Sequence, residues 1–200
     1  NNEEDPVTLA DLKVNEIIIK RINEKYKYTK WDILSEENVK TSKTFFTKND
    51  WVWVLDPLDG TKDFIQGTGN YAMHLALNFK QKPYIGFVLI PDKNQLWITD
   101  GKKTWCEKRD GSKYEPILLK NRNLHEMTLV TSKNHGNEIL KNLIQEINFC
   151  KVQIMGSIGC KIASIVNGES DIYICLSLPG KSSPKAVSYT HLTLPTTGDV

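Results

Sequence analysis

The sequence predicts a layered α+β protein, with an N-terminal antiparallel-sheet domain followed by the start of a C-terminal α/β domain. Three features support this fold class: a helix-initiating motif near the start, a block of short strands joined by tight turns, and alternating strands and helices after about residue 124. We therefore expect domains at residues 1–123 and 124–185, the second one incomplete, and an off-pattern tail at 186–200.

The first element is a helix that begins at the capping box Thr8-Leu9-Ala10-Asp11. The apolar spacing extends it to about Tyr26, with Leu12, Ile18 and Ile22 on the buried face. A short apolar run follows at residues 31–34, and the polar stretch 40–50 predicts a loop.

The middle of the chain has the composition of a β-meander. Tight turns such as Pro91-Asp92-Lys93-Asn94 separate short apolar runs, and tight turns favour antiparallel pairing. The strands are predicted at residues 51–55, 71–79, 84–90, 95–99, 103–106 and 115–119. After residue 124, strands at 127–131, 152–155 and 171–176 alternate with helices at 137–147 and 157–166, which is typical of βαβ units.

Composition narrows the classes of partner. With 26 basic and 24 acidic residues the net charge is +2, which favours neither nucleic acid nor a membrane surface as a partner. No apolar run approaches the roughly 20 residues that span a bilayer. The 4 cysteines form no C-x-x-C pair, so we interpret them as buried thiols of a reducing compartment, and the cytoplasm is the expected location.

The motif Asp56-Pro57-Leu58-Asp59-Gly60-Thr61 carries the strongest chemical information. It places two carboxylates at the end of a buried strand, where Pro57 restricts the backbone and Gly60 permits a sharp turn. Hard divalent cations such as Mg²⁺ prefer oxygen ligands, and the Leu58 carbonyl could add another. The backbone N–H groups of Gly60, Thr61 and Lys62 could then bind a phosphate.

Each candidate also has a plain structural explanation. An isolated Asp-x-x-Asp is usually a polar turn, although the long apolar strand before it weakens that explanation. Glu36, beside Glu37, could be a metal ligand or a solvated surface acid. Asp11 occupies the third position of the capping box, so capping and chemistry explain it equally well.

Three motifs in this order resemble those of the inositol monophosphatase superfamily: Pro6-Val7-Thr8-x-Ala10-Asp11, Ser35-Glu36-Glu37 and Asp56-Pro57-Leu58-Asp59-Gly60-Thr61. The resemblance covers residues 5–185 and implies the layered αβαβα sugar-phosphatase fold. It further implies a Mg²⁺-dependent phosphatase in which Glu36, Asp56, Asp59 and the Leu58 carbonyl bind metal. Asp11 and Thr61 would act on the attacking water.

Within the superfamily, three elements resemble the 3′(2′),5′-bisphosphate nucleotidases: Thr61-Lys62-Asp63-Phe64, Ser132-Lys133-Asn134-His135 and Gly156-Ser157-Ile158-Gly159-Cys160-Lys161. This implies hydrolysis of 3′-phosphoadenosine 5′-phosphate to AMP, an activity of sulfur assimilation and nucleotide salvage. The implied substrate-binding residues are Gly60, Thr61, His135, Ser157 and Lys161.

Alternatives remain for the substrate and for three of these residues. The substrate could be a sugar or polyol phosphate, as in inositol monophosphatases. His135 could be a loop histidine, Ser157 a simple N-cap and Lys161 a solvated helix lysine.

The family pattern breaks after Pro184-Lys185. Relatives continue with Trp-Asp-x-Ala-Ala, whose aspartate binds the second metal, but this chain continues with Ala186-Val187-Ser188-Tyr189. The segment 188–195 resembles a translated sequencing adapter, the alternative being a divergent natural C-terminus. We expect the first helix of the fold and the last metal carboxylate to be missing. The chain is then expected to be an inactive fragment, so a non-catalytic truncated product is the third hypothesis.

Overall fold

The computed structural model describes residues 8–41, 48–117, 121–132 and 138–174. Within them the helices are α1 (Leu9–Lys25), α2 (Glu36–Thr41), α3 (Thr61–Ile65), α4 (Glu138–Ile147) and α5 (Ile158–Val166). The strands are β1 (Trp31–Ser35), β2 (Trp51–Asp59), β3 (Ala72–Phe79), β4 (Lys82–Ile90), β5 (Gln95–Thr99), β6 (Thr104–Glu107), β7 (Lys113–Tyr114), β8 (Thr128–Thr131), β9 (Lys151–Ile154) and β10 (Ile172–Tyr173). Short 3₁₀ turns lie at Pro91–Lys93 and Leu124–Glu126.

The larger sheet contains strands β1 to β7 in chain order. Strands β2 to β7 pair antiparallel, as the tight turns predicted, but β1 pairs parallel to β2. The purely antiparallel expectation is therefore wrong at this edge. The physical reason is the long connection through α2, which returns the chain to the starting end of β1 before β2 begins.

The two faces of this sheet are covered by different helices. On one face Ile22 of α1 packs with Trp53 and Leu77. On the other face the core contains sheet residues such as Val88, helix residues such as Cys160 of α5, and Val130 of the smaller sheet. Helix α5 therefore lies between the two sheets, which is the layering that the sequence predicted. The proposed boundary near residue 123 stays a prediction, because this core includes residues from both sides of it.

The smaller sheet has the order β10-β8-β9, and both pairings are parallel. Helix α4 connects β8 to β9, and α5 connects β9 to β10, so the predicted βαβ alternation is confirmed. The predicted strand at 171–176 is described only as far as β10. The tail 186–200 lies outside the described residues.

Two local predictions about burial are wrong. Leu12 is 50% exposed, because the inward face of α1 is formed by Asp11, Ile18 and Ile22. Leu12 directly follows Asp11, and successive side chains of a helix point about 100° apart. Cys106 and Cys160 are buried as expected, whereas the free thiol of Cys150 is exposed at the turn before β9.

None of the described helices combines the length and apolar character needed to cross a bilayer.

Candidate functional site

The site is built around the end of β2, where two aspartates are buried. The prediction that this strand ends at Leu55 is wrong, since β2 continues through Asp59. Its ladder with β3 shifts register between Asp56 and Asp59. Pro57 lies in this irregular stretch and has no N–H to leave unpaired there. Gly60 then takes a φ of +89°, a left-handed conformation that favours glycine, and turns the chain into α3.

Glu36 reaches Asp56 because β1 and β2 run parallel. Ser35 is the register partner of Leu55, so the next residues on both strands are neighbours. The side chains of Glu36 and Asp56 share a hydrogen bond, which requires one of the two carboxyl groups to hold a proton. Burial, followed by the charges of Asp59 and Glu36, raises the pKa of Asp56 to about 9. Without a cation, the Glu36–Asp56 pair therefore keeps one proton at neutral pH.

Asp11 both caps α1 and faces the metal-binding motif. Its Oδ2 accepts from the backbone N–H of Thr8 at 2.8 Å, which completes the capping box. Its Oδ1 lies 3.5 Å from Thr61 Oγ1, and Thr61 Oγ1 lies 3.1 Å from the Leu58 carbonyl oxygen. The two explanations offered by the sequence are thus compatible, since each uses a different oxygen of the same carboxylate.

Asp59 is held by the beginning of α5. Its Oδ2 accepts from Ser157 Oγ at 2.6 Å and from the backbone N–H of Gly159 at 3.0 Å. Ser157 is also the N-cap of α5, accepting from the Cys160 N–H at 3.1 Å. The turn at Gly60, directly after Asp59, also packs closely against the start of α5, since a Cβ on Gly60 would lie 3.1 Å from Ser157 Cβ.

Lys161 is 1% exposed, so the alternative of a solvated helix lysine is wrong. Its Nζ donates to Ser132 Oγ at 2.6 Å and to the Gly156 carbonyl at 3.2 Å, and it lies 5.2 Å from the centre of the Tyr173 ring. The first residue of the Ser-Lys-Asn-His element is therefore joined to α5, whereas His135 lies outside the described residues.

The donor set suits a hard divalent cation, although it is not a preformed ligand sphere. Among the described ranges, no three His, Cys, Asp or Glu side chains are arranged to hold a metal ion as they stand. The reason lies in their present partners, since Asp59 Oδ2 binds α5 and Glu36 binds Asp56. A Mg²⁺ ion could replace the proton shared by Glu36 and Asp56, because both offer oxygen ligands and repel each other when ionised.

Two residues of the site were not predicted. His74 is buried opposite Asp56 in the β2–β3 ladder, and its Nε2 lies 3.3 Å from Asp59 Oδ2. Asp63 packs against the backbone of Gly156 so closely that a Cβ there would lie 1.7 Å from its Oδ2. The alternation of β3 indicates that His74 faces inward, but only the register of the hairpin shows which residue it meets.

Comparisons with known proteins agree with this architecture. The model of the inositol monophosphatase family matches residues 1–182. The 3′(2′),5′-bisphosphate nucleotidase CysQ of Buchnera aphidicola is 32% identical over 170 residues, which cover 84% of this chain and 61% of that protein. The chain thus spans about three fifths of that relative.

Solved structures of the same family superpose on the described fold. Inositol monophosphatase II from Staphylococcus aureus has a TM-score of 0.66 and 26% identity, covering 82% of this chain and 59% of that one. An IMPase/NADP phosphatase complexed with Mg²⁺ and phosphate has a TM-score of 0.67 and 21% identity, covering 84% and 60%. The predicted layered fold is confirmed by these structures.

Proposed function

The chain belongs to the inositol monophosphatase family, and from this premise we propose that the protein is a Mg²⁺-dependent phosphomonoesterase. One observation carries the proposal: half-buried Glu36 and buried Asp56 form a pair beside the cluster of Asp11, Thr61 and the Leu58 carbonyl. Oxygen ligands for a cation and acceptors for a water molecule are thus brought to one end of the larger sheet.

We assign the metal ligands to Glu36, Asp56, the Leu58 carbonyl and Asp59. When bound, Mg²⁺ supplies a water of lowered pKa and neutralises charge on the phosphate oxygens. The related IMPase/NADP phosphatase, which was solved with Mg²⁺ and phosphate, supports this choice of cation.

Asp11 and Thr61 are proposed to orient the attacking water. The capping box fixes Asp11 through Oδ2, which leaves Oδ1 as an acceptor. The Thr61 hydroxyl donates to one neighbour and keeps a lone pair for the water. Two fixed acceptors align the water for attack on phosphorus, and the backbone N–H groups of Gly60 and Thr61 hold the phosphate. No covalent enzyme intermediate is involved.

The first prediction concerns cation binding. Adding about 10 mM MgCl₂ should raise the unfolding temperature of the chain by a few degrees, because a ligand at ten times its Kd stabilises by about 1.4 kcal/mol. Glu36→Gln should lose the shift, whereas Asp100→Asn, which removes an exposed acid, should keep it. Differential scanning calorimetry with EDTA as the reference measures both. An equal shift in the two variants would assign the cation elsewhere.

For the substrate we propose 3′-phosphoadenosine 5′-phosphate, hydrolysed to AMP and phosphate. The name of the nucleotidase relative supports it, as does a buried cation, Lys161, joined to the Ser132 element. The second candidate is a polyol phosphate, favoured by the likeness to the Staphylococcus aureus inositol monophosphatase. Since the chain spans about three fifths of its curated relative, activity should be assayed both on the 200-residue chain and on a version extended to the relatives' length.

The second prediction separates these substrates. Lys161→Met keeps the buried stem and removes the amine, so KM for the bisphosphate should rise about tenfold. KM for inositol 1-phosphate should change less than about twofold, since that ester has a single phosphate. Steady-state kinetics on the extended version measures both. A similar rise for both substrates would favour the polyol phosphatase and argue against a role for Lys161 in nucleotide recognition.

We also propose a reducing, cytoplasmic location. The three described cysteines, Cys106, Cys150 and Cys160, are all free thiols, which supports such a compartment.

A further inference from the structure

Two short segments that mix lysines with aromatic residues meet at the end of the larger sheet that lies away from the candidate site. They are residues 25–31, which end on the first residue of β1, and residues 79–84, which form the β3–β4 turn. Together with Trp51 we call them the lysine–aromatic surface. We propose that this surface binds single-stranded nucleic acid, with bases stacked on its rings and phosphates bound by its lysines.

The surface is separate from the candidate site, because the two lie at opposite ends of the same strand. Strand β2 begins at Trp51 and ends at Asp59, roughly 26 Å away along the sheet. The inference therefore does not depend on the proposed phosphatase activity, and substitutions at this surface leave the site residues in place.

Strand pairing brings the two segments together. Trp31, Trp51 and Phe79 are register partners across β1, β2 and β3. The ring centre of Trp51 lies 4.6 Å from that of Phe79 and 5.1 Å from that of Tyr84. On the other side, the ring centre of Trp31 lies 6.5 Å from that of Trp51 and 4.7 Å from that of Tyr26. The rings thus form one row that crosses the end of the sheet.

The outer rings of this row are open to solvent. Tyr26 is 36% exposed, Phe79 37% and Tyr84 58%, and the nearby Tyr28 is 89% exposed. An exposed ring presents a flat apolar face, and every nucleobase has a face that can stack on it whatever its sequence. Several such rings in a row can therefore take successive bases of an unpaired strand.

Positive charge is concentrated on the same surface. It contains 5 of the 26 basic residues of the chain and none of the 24 acidic ones, and all its lysines are exposed. One carboxylate beside it, that of Asp50, lies 3.9 Å from Lys80. The turn at residues 100–103 adjoins the surface and adds two lysines and one aspartate, since a Cβ on Gly101 would lie 3.5 Å from the Tyr84 carbonyl oxygen.

The net charge of +2 for the whole chain averages over this uneven distribution. The expectation against a nucleic-acid partner used that net charge, so it does not extend to this surface. A local cluster of lysines attracts phosphates even on a protein that is nearly neutral.

The lysines already lie close to the rings. Measured from Nζ to the ring centre, Lys25 lies 5.8 Å from Tyr26, Lys27 lies 4.8 Å from Tyr28 and Lys80 lies 5.3 Å from Phe79. An exposed contact of this kind changes an equilibrium by only about two- to fivefold, whereas stacking of one base contributes about 5- to 100-fold in affinity. A base can therefore displace the ammonium group, which then binds the adjoining phosphate.

An anionic membrane is the other partner that lysines and aromatic rings could fit. Surfaces that lie in a membrane interface bury aliphatic side chains together with aromatic ones. Neither segment contains Leu, Ile, Val or Met, and the two most exposed rings, Tyr28 and Tyr84, carry a hydroxyl group. The composition therefore favours stacking of bases over insertion among lipids.

The test measures binding of a fluorescent RNA of about 12 nucleotides to the chain by fluorescence anisotropy, as a single strand and as a duplex with its complement. Tyr28→Ala removes a ring, Tyr28→Phe keeps it, and Lys27→Gln removes a charge. Lys108→Gln is the matched control, because Lys108 is also exposed and lies 5.5 Å from the centre of the Tyr114 ring, but it follows β6 at the other end of the sheet.

We expect a Kd of about 10–100 µM for the single strand at about 0.15 M salt. The duplex should bind at least about fivefold more weakly, because its bases are already stacked on one another. Tyr28→Ala should weaken binding of the single strand at least about fivefold, and Tyr28→Phe less than about twofold. Lys27→Gln should reduce the slope of log affinity against log salt by about 0.7, and Lys108→Gln should leave it unchanged.

Tyr84→Ala, at the far end of the row, is a second variant with the same expectation as Tyr28→Ala. Equal binding of single strand and duplex would overturn the proposal, as would parental affinity in both alanine variants. Equal changes in Lys27→Gln and Lys108→Gln would show a general effect of charge, which also overturns it. Sedimentation with phosphatidylserine vesicles is the last measurement, and binding to vesicles but not to the single strand would assign the surface to a membrane instead.

Discussion

Replacing Gly159 by alanine is expected to destabilise the chain by about 3 kcal/mol, at the upper end of the usual cost of overpacking. The new Cβ would lie 2.3 Å from His74 Nε2, 2.9 Å from Val88 Cγ1 and 3.0 Å from Ala72 Cβ. All three neighbours are buried and belong to the larger sheet, so relief requires α5 to move away from it. Because α5 lies between the sheets, that movement would loosen both interfaces.

The unfolding temperature should fall by roughly 6–12 °C for a chain of this size, and calorimetry measures the change. Gly67→Ala is the matched control, because no atom lies within 4 Å of its added Cβ and only its φ of +65° opposes the substitution. We expect the control substitution to lower the free energy of unfolding by about 1 kcal/mol. Equal losses in both variants would mean that α5 does not pack as closely as described.

Replacing Asp56 by asparagine should stabilise the metal-free chain and abolish its response to Mg²⁺. The sign follows from the raised pKa of Asp56, about 9 in the folded chain against 3.8 as the reference. Between these pH values the folded chain holds a proton that the unfolded chain has released, so its stability falls as pH rises. Asparagine has no proton to lose, and its amide can donate to Glu36 as the protonated acid does.

In EDTA, the free energy of unfolding of the parent chain should therefore decline from about pH 4 to pH 9, while that of Asp56→Asn should decline less. Near pH 8 we expect the variant to be more stable by about 2 kcal/mol, an order-of-magnitude value for a buried, poorly compensated acid. Urea unfolding at several pH values measures this. Added Mg²⁺ should reverse the ranking, and a variant that still gains stability from Mg²⁺ would contradict the role of Asp56.

Much of the fold followed from local patterns. The capping box at Thr8 and Asp11 marked the start of α1, and alternation located most strands of the meander to within a few residues. The strand predicted at 115–119 is wrong: the last strand is β7 at Lys113–Tyr114, where the chain turns back at Asp110-Gly111 to pair with β6, and residues 115–117 are not in a strand. These features depend on residues close in the chain, whose side chains repeat with the period of the element they belong to. The family resemblance found from three short motifs was confirmed by the match over residues 1–182.

What local patterns missed depends on register and on distant packing. Nothing near Trp31 indicates that β1 pairs parallel to β2, since the direction depends on the connection between them. The burial of Lys161 depends on Ser132 and on Tyr173, which belong to other elements. His74 meets Asp59 only because the ladder shifts register after Asp56. The predicted roles of the individual site residues stay predictions.

The bond between Ser157 and Asp59 spans 98 positions in the chain, and this separation matters during synthesis. A ribosome adding roughly 5–20 residues per second needs on the order of 5–20 s to produce the second partner after the first. During that interval the strands β3 to β7 are made before α5, so the side that bears Ala72, Val88 and Ile90 lacks the cover of this helix until the interval ends. Helix α5 therefore has two effects once it is synthesised: it completes the site, and it covers the apolar side of the sheet, which is prone to aggregation while exposed.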